Sequence, residues 1–290
     1  MTISGTIAAE PRPHSGGGFD EYLGSGSQRY LSEGHRRVDL ELTNLSRDEL
    51  GRYSSLASLR YPEDWSMKNG EQRTPHLSTI DAIRVATRMR EILAASVVPM
   101  LSEFGLERSL SVRAGAKPWE GLDSVPVSCE VTVVDDGRVV RLRHTIGSLK
   151  VESEWVRRGG VTANERESPY ASNVADVQLD RGQYVSCLYS RDSGSTEPVS
   201  FLEVLTLTAQ MSQVALYEGK QANRARSGNM WMRRASFVRH AWSGPTQQRV
   251  QLLLRNRKQL VVNNGMIETA EVLAEDVFGV HVTAALAAGE

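Results

Sequence analysis

Cysteine is scarce in this 290-residue chain: Cys129 and Cys187 are the only two, far apart inside apolar stretches. With no CxxC or Cys/His spacing, neither a disulfide framework nor a zinc site is indicated, and both read as buried fillers. Aromatic residues make up only 6%, and charge of one sign is missing too, with 34 Lys+Arg against 35 Asp+Glu. That balance argues against nucleic-acid or membrane binding, while a 40% hydrophobic content is too high for disorder. No run approaches the roughly 18 apolar residues of a membrane-spanning helix. The opening MTISGTIAAEPRPHSGGGF has neither a basic n-region nor a hydrophobic core, so a cytoplasmic protein is expected. GxSxG, P-loop, helix-opening GxGxxG and HExxH motifs are absent as well. Serine-triad hydrolysis, nucleotide use and zinc chemistry are therefore disfavoured, and no metal or cofactor is expected.

What is present is a repeat. Length suggests two domains of about 130 residues and a tail, and a single large barrel is also compatible. Residues 1–18, with Pro11, Pro13 and three consecutive glycines, read as a disordered tail. Beyond it, HLSTIDAIRVATRM (76–89) aligns with PVSFLEVLTLTAQM (198–211) at an offset of 122 residues. An extended run precedes each helical segment, Val38–Leu42 and Val174–Leu179, and alternating β-branched stretches follow. After the first helix come Leu110–Ala114, Val127–Val133, an Asp135-Asp136-Gly137 turn and Val139–Ile146. After the second come Met230–Val238, Val250–Leu254, a polar turn at Arg255–Lys258 and a strand from Leu260. Each half thus reads strand, helix, then three or four antiparallel strands. Both helices are apolar round most of their circumference, so each must be buried on nearly all sides. A buried helix wrapped by an antiparallel sheet is the hotdog arrangement. The expectation is an α+β double hotdog, 19–160 and 161–290, packed as a pseudo-dimer.

Asp81 and Glu203 occupy matching places at the helix starts. Burial disfavours a charged carboxylate and makes it a better base, which suits general-base catalysis. Ser78-Thr-Ile-Asp81 and Ser200-Phe-Leu-Glu203 also have capping-box spacing, and both readings stand. His76, before the first helix, reads either as a solvated loop residue or as a pocket partner of Asp81. The helix amides could hold a carbonyl oxygen. From Gly219 to Ile267 there are ten basic residues and no acid (Lys220, Arg224, Arg226, Arg233, Arg234, Arg239, Arg249, Arg255, Arg257, Lys258). The block suggests coenzyme A phosphates or an acidic carrier protein, against a solvated sheet face. Arg113 and Arg234 fall in equivalent strands, where paired guanidinium groups suit a carbonyl, carboxylate or phosphate.

The stretches FDEYLGSGSQRYL (19–31), LRYPEDWSMKNGEQRTPHLSTIDA (59–82), LSVRAGAKP (110–118) and NMWMRRA (229–235) resemble the avirulence protein D (AvrD) family, from about residue 19 to the last strands. The resemblance implies a double hotdog related to the A-factor synthesis (AfsA) butyrolactone-forming family. It implies a condensing acyltransferase that joins a 3-oxoacyl thioester to a ketose such as xylulose, or to dihydroxyacetone phosphate, with closure to a syringolide-like butenolide. A hotdog thioesterase, a dehydratase or a non-catalytic acyl-binding module are the alternatives. The resemblance moves Glu203 and Asp81 from capping towards catalysis, level with it, with His76 as an accompanying catalytic candidate and Arg113, Arg233, Arg234, Trp65 and Lys68 as candidates for substrate binding. The donor would be an acyl carrier protein or coenzyme A thioester, with no nucleic-acid or membrane partner. A homodimer of the pseudo-dimer is compatible with this reading.

Overall fold

The computed structural model describes residues 17–65, 67–68, 71–72, 74–115, 117–157, 173–191, 198–217, 230–242, 245–262 and 265–289. Residues 1–16 of the tail expected at 1–18 and the domain boundary at 160/161 lie outside them. The first half runs α1 (Phe19–Leu23), β1 (Asp39–Arg47), β2 (Tyr53–Arg60), the small ribbon β3 (Met67–Lys68) and β4 (Glu71–Gln72), then α2 (Thr79–Ser96). It continues with β5 (Leu106–Arg113), β6 (Val125–Val134), β7 (Val139–Ile146) and β8 (Leu149–Val156). The second half holds β9 (Asn173–Asp180), β10 (Tyr184–Ser190), α3 (Phe201–Leu216), β11 (Met230–Arg239), β12 (Gln247–Val262), β13 (Gly265–Val277) and β14 (Val280–Gly289). Apart from the small β3–β4 ribbon, each half therefore has two described strands before its long helix where the pattern predicts one. The additional strands are Tyr53–Arg60, buried on every second residue, and Tyr184–Ser190.

All twelve long strands form one antiparallel sheet in the order β1-β2-β6-β7-β8-β5-β11-β14-β13-β12-β10-β9. Read from either edge the order is the same, and the halves meet at β5 and β11, where Ser111 stands opposite Ser236. This is the double hotdog, two copies of one unit sharing a sheet. Both long helices lie against its inner face. In α3 the buried residues include Val204, Leu205, Leu207, Met211, Val214 and Leu216, spread round the helix. Burying each such side chain contributes about 1.5–3 kcal/mol, which outweighs the weak helix preference of the Val, Thr and Ser between them. The buried hydroxyls of Thr208 and Ser212 bond back to the carbonyls of Val204 at 2.8 Å and Thr208 at 2.7 Å, so neither is left unsatisfied.

The segment before β1 belongs to the first half by sequence but packs on the second. Phe19 and Leu23 are buried, the Tyr22 hydroxyl donates to the Val177 carbonyl at 3.0 Å, and Val177 N–H bonds to Gly17 O at 3.4 Å. Gly17 and Gly18, taken as tail in the sequence, are thus the lead-in to α1. One expected turn is also displaced. Arg255–Lys258 does not reverse the chain, because β12 runs through it with a bulge in its pairing to β13, and Asn256 takes the left-handed conformation (φ 55°). Asparagine tolerates that conformation, so a polar run that reads as a turn is accommodated inside a strand. Cys129 and Cys187 are buried free thiols. No helix among the described residues is long and apolar enough to cross a membrane.

Candidate active site at the start of the first central helix

A cavity of about 240 Å³ opens at the N-terminus of α2. One wall comes from the first half, through Tyr30, Trp65, His76, Leu77 and Ser78; the other comes from α3 and β11, through Leu205, Ala209, Gln213, Tyr217, Met230 and Met232. Neither half makes the site alone. Thr79 and Ile80 also line it, and their amides, in the first helical turn, have no carbonyl four residues back to bond. They and the helix dipole favour an oxygen carrying negative charge. Arg29, Lys117 and Arg233 line the cavity, and among the described residues no carboxylate does, so this part of its wall is electropositive. Among the described residues no cluster of three or more His, Cys, Asp or Glu suits a metal ion.

Behind this wall is a chain of hydroxyls ending on Asp81. Asp81 is fully buried, and its Oδ2 accepts from Ser78 N–H at 3.0 Å, Ser78 Oγ at 2.6 Å and the Tyr61 hydroxyl. Because the Ser78 proton goes to Asp81, Tyr30 OH donates to Ser78 Oγ at 2.7 Å. Ser78 Oγ also accepts from Asp81 N–H at 3.1 Å, which completes the capping box. Burial first, then the Asp81 charge, raises the Tyr30 and Tyr61 phenols well above the ordinary tyrosine range, so both remain protonated donors. Tyr30, Tyr61 and Trp65 pack together, with Trp65 edge-on to each at 5.2 and 5.0 Å. His76 stands edge-on to Trp65 at 6.4 Å and faces the cavity half-buried.

The matching end of α3 is built differently. Ser200 caps it, accepting from Glu203 N–H at 3.0 Å, but the Glu203 carboxylate turns away to the Tyr189 hydroxyl at 2.8 Å and Arg191 Nε at 3.4 Å. Burial pushes its pKa up, partly offset by Arg191. The Phe278 ring packs edge-on to Tyr189 at 5.6 Å and closes this end. Phe278 opens the β13–β14 turn in a left-handed conformation (φ 52°) that bulky residues avoid. The corresponding β7–β8 turn opens with Gly147. A ring therefore fills one helix end, and a missing side chain leaves room at the other.

At Gly147 that room is taken by Trp119, on the cavity wall. A Cβ there would lie 3.0 Å from the indole and 3.2 Å from Leu77, at φ +53°. Gly147→Ala should therefore cost about 1–2 kcal/mol in chemical denaturation and displace Trp119, visible as altered tryptophan fluorescence.

Of the residues singled out from sequence, His76, Trp65 and Arg233 line the cavity. Asp81 reaches it only through Ser78 and Tyr30, and Glu203 belongs to the other helix end. Arg113 and Arg234 lie opposite each other on the outer face of the sheet. Lys68 pairs with Glu71 through its backbone, and its side chain is outside the described residues. Lys220, Arg224 and Arg226 are outside them too. Arg249 pairs with Asp176, Arg255 with Glu271 and Arg257 with Glu268, and Arg239 is buried against the Glu107 and Val199 carbonyls, so these do not form one free patch. Sequence reasoning assigned no role to Arg29, Tyr30, Tyr61 or Trp119. Arg29 is 3% exposed, lines the cavity, and is held by Asp20 and by Gln210 Oε1 at 2.7 Å. The first three fall within the stretches 19–31 and 59–82, which is the signal that could have found them.

Fold and site together define a double-hotdog protein with a ligand cavity built by both halves at the first central helix. The family described as Pseudomonas avirulence D protein (AvrD) matches residues 14–174, more than half of the chain, and the chain belongs to that family. The match stops short of the 229–235 stretch. No curated protein matches the chain. Among solved structures it is similar to a putative oleoyl thioesterase from Lactobacillus plantarum, 11% identical with a TM-score of 0.47, over 81% of this chain and 95% of that one. It is similar also to the tesB protein of Mycobacterium avium subs paratuberculosis, 16% identical, TM-score 0.42, covering 84% and 96%. The dehydratase domain from the CurJ module of curacin polyketide synthase is 11% identical, TM-score 0.40, covering 86% and 96%.

Proposed function

We propose that the protein is a condensing acyltransferase that joins a 3-oxoacyl thioester to a hydroxyl of a ketose or triose phosphate and closes the product to a butenolide. The observation that carries this reading is the cavity itself. Its walls are largely apolar, as an acyl chain requires, and it reaches Thr79 and Ile80 in the first turn of α2 beside a histidine. The thioester carbonyl rests at the Thr79 and Ile80 amides. His76 takes the proton of the acceptor hydroxyl as its oxygen attacks the carbonyl carbon, and the amides hold the oxyanion. Collapse breaks the carbon–sulfur bond, and His76 returns the proton to the thiolate. The acidic carbon between the two carbonyls of the new ester then attacks the ketone of the sugar, and loss of one water closes the ring.

Mass spectrometry of the protein with a 3-oxoacyl thioester, with and without xylulose or dihydroxyacetone phosphate, tests this. An acceptor-linked product is expected. Free 3-oxo acid would make the protein a thioesterase, loss of water from a 3-hydroxyacyl thioester offered in its place a dehydratase, and unchanged thioester a binding module. His76→Gln should lower kcat about 10²–10⁴-fold with little change in KM.

A further inference from the structure

On the outer face of the sheet, cations are matched to carboxylates: Arg141 to Glu154 at 2.6 Å, Arg143 to Glu152 at 3.2 Å and Arg257 to Glu268 at 2.5 Å. At the seam between the halves the pattern breaks. Lys150 on β8 stands directly opposite Arg113 on β5, and Arg113 directly opposite Arg234 on β11. All three are exposed. Like charges opposite each other on neighbouring strands destabilise a sheet, so the row needs a compensating partner. The protein does not supply one from the acids flanking the row. Glu152, two residues along β8 from Lys150, is held by Arg141 at 3.3 Å and Arg143; Glu271, past Ala285 on the far side of Arg234, is held by Arg255 at 3.3 Å and Asn256 at 2.8 Å.

The row borders the cavity mouth. Ala114, Leu149 and Arg233, the immediate chain neighbours of its three members, all line the cavity. We propose that Lys150, Arg113 and Arg234 form the docking surface for an acidic acyl carrier protein, which presents its thioester to the cavity beside them. The inference rests on the acyl-thioester reading and adds the partner. A carrier helix fits better than a free nucleotide diphosphate for a geometric reason. The row crosses three strands about 4.8 Å apart, so its cations span about 10 Å on an open face with no concave cradle. Carboxylates three or four residues apart on a helix repeat at about 5–6 Å, close to that spacing. Contact through exposed charges is screened by salt, so the association should weaken steeply as ionic strength rises.

The test uses the full chain and two probes, a fluorescently labelled bacterial holo-acyl carrier protein and coenzyme A. Lys150→Glu should weaken carrier binding at least about tenfold and leave coenzyme A binding within about twofold. It should leave Tm unchanged or higher, since it sets a carboxylate opposite Arg113. Arg138→Glu, exposed at the far end of the β7–β8 hairpin from Lys150, should leave carrier binding unaltered. Equal loss for both probes would make the row a phosphate site and overturn the proposal, as would no loss for either, or wild-type protein that binds no carrier. Turnover of a small N-acetylcysteamine 3-oxoacyl thioester needs no docking and separates the two ideas. Turnover without carrier binding retains the acyltransferase and removes the docking surface; carrier binding lost in Lys150→Glu, with no turnover, does the reverse.

Discussion

Asp81→Ala should lower the free energy of unfolding by ~3 kcal/mol, the largest single-site loss expected near the cavity. Losing the Ser78 N–H bond that closes the box costs about 1 kcal/mol. The Tyr61 and Ser78 hydroxyls then lose their acceptor, at about 1–3 kcal/mol each. No longer having to bury a carboxylate offsets part of that sum. Asp81→Asn retains an acceptor oxygen and should cost about half as much. Glu203→Gln is the contrasting experiment. Its carboxylate takes no part in closing the α3 box but neutralises the buried Arg191, so the amide should cost about 1–3 kcal/mol while leaving the Ser200 cap in place. Denaturant titration of the three variants decides the matter. An Asp81→Ala loss below about 1 kcal/mol together with abolished turnover would mean that this carboxylate serves chemistry rather than the helix start.

That contrast could not be read from Ser-x-x-Asp and Ser-x-x-Glu, because the spacing is the same in both. It depends on what else reaches the acid. A tyrosine from the end of the preceding hairpin donates to it in each half, Tyr61 to Asp81 and Tyr189 to Glu203, so the repeat extends to this hydrogen bond. Only at Glu203 does a buried arginine intervene and draw the carboxylate out of the box. Helix α3 was legible because a helix buried all round has an apolar pattern with few alternatives; α2, expected to be enclosed likewise, is buried along one face only and exposes Arg88, Glu91 and Ser96. The strands Tyr53–Arg60 and Tyr184–Ser190 were harder, being short and interrupted by serine, and they are identified by pairing with β6 and β12. The placement of α1 on the second half was not legible at all, since Arg29–Gln210 and Tyr22–Val177 join residues 181 and 155 apart. Arg113 and Arg234 did lie on equivalent strands, but only the register shows them facing each other across the seam.

Acidification should destabilise the protein by ~3 kcal/mol for each of two buried histidines, over a window that opens above ordinary carboxylate titration and meets it at about pH 4. Burial lowers both His35 and His144 from 6.5 to about 4. At His35 the Tyr30 carbonyl offsets part of the shift and the Arg36 and Arg84 charges add to it; at His144 the Val151 backbone offsets a little. Between pH 6.5 and 4 the unfolded chain binds the proton and the folded chain does not, so stability falls as pH falls through that range. The contribution is complete above pH 6.5; at about 1.4 kcal/mol per unit, a shift of about 2.5 units gives the figure stated. Glu203 acts with opposite sign, its raised pKa favouring the fold below 4.5, and Glu154, held low by Arg108 and Arg141, loses its contribution only below its usual range. His144→Leu should therefore flatten about half of the slope between pH 6.5 and 4 in denaturant titrations; an unchanged slope would place the titration elsewhere. His35 should have a second effect. Its Nδ1 donates to the Tyr30 carbonyl at 3.0 Å and its ring packs edge-on to the Tyr30 ring at 6.1 Å, so the incoming proton goes to Nε2 beside a residue that lines the cavity. Ligand binding in the cavity should then weaken as the pH falls through this window, in His144→Leu as in the wild type, because it is His35 that adjoins the Tyr30 wall.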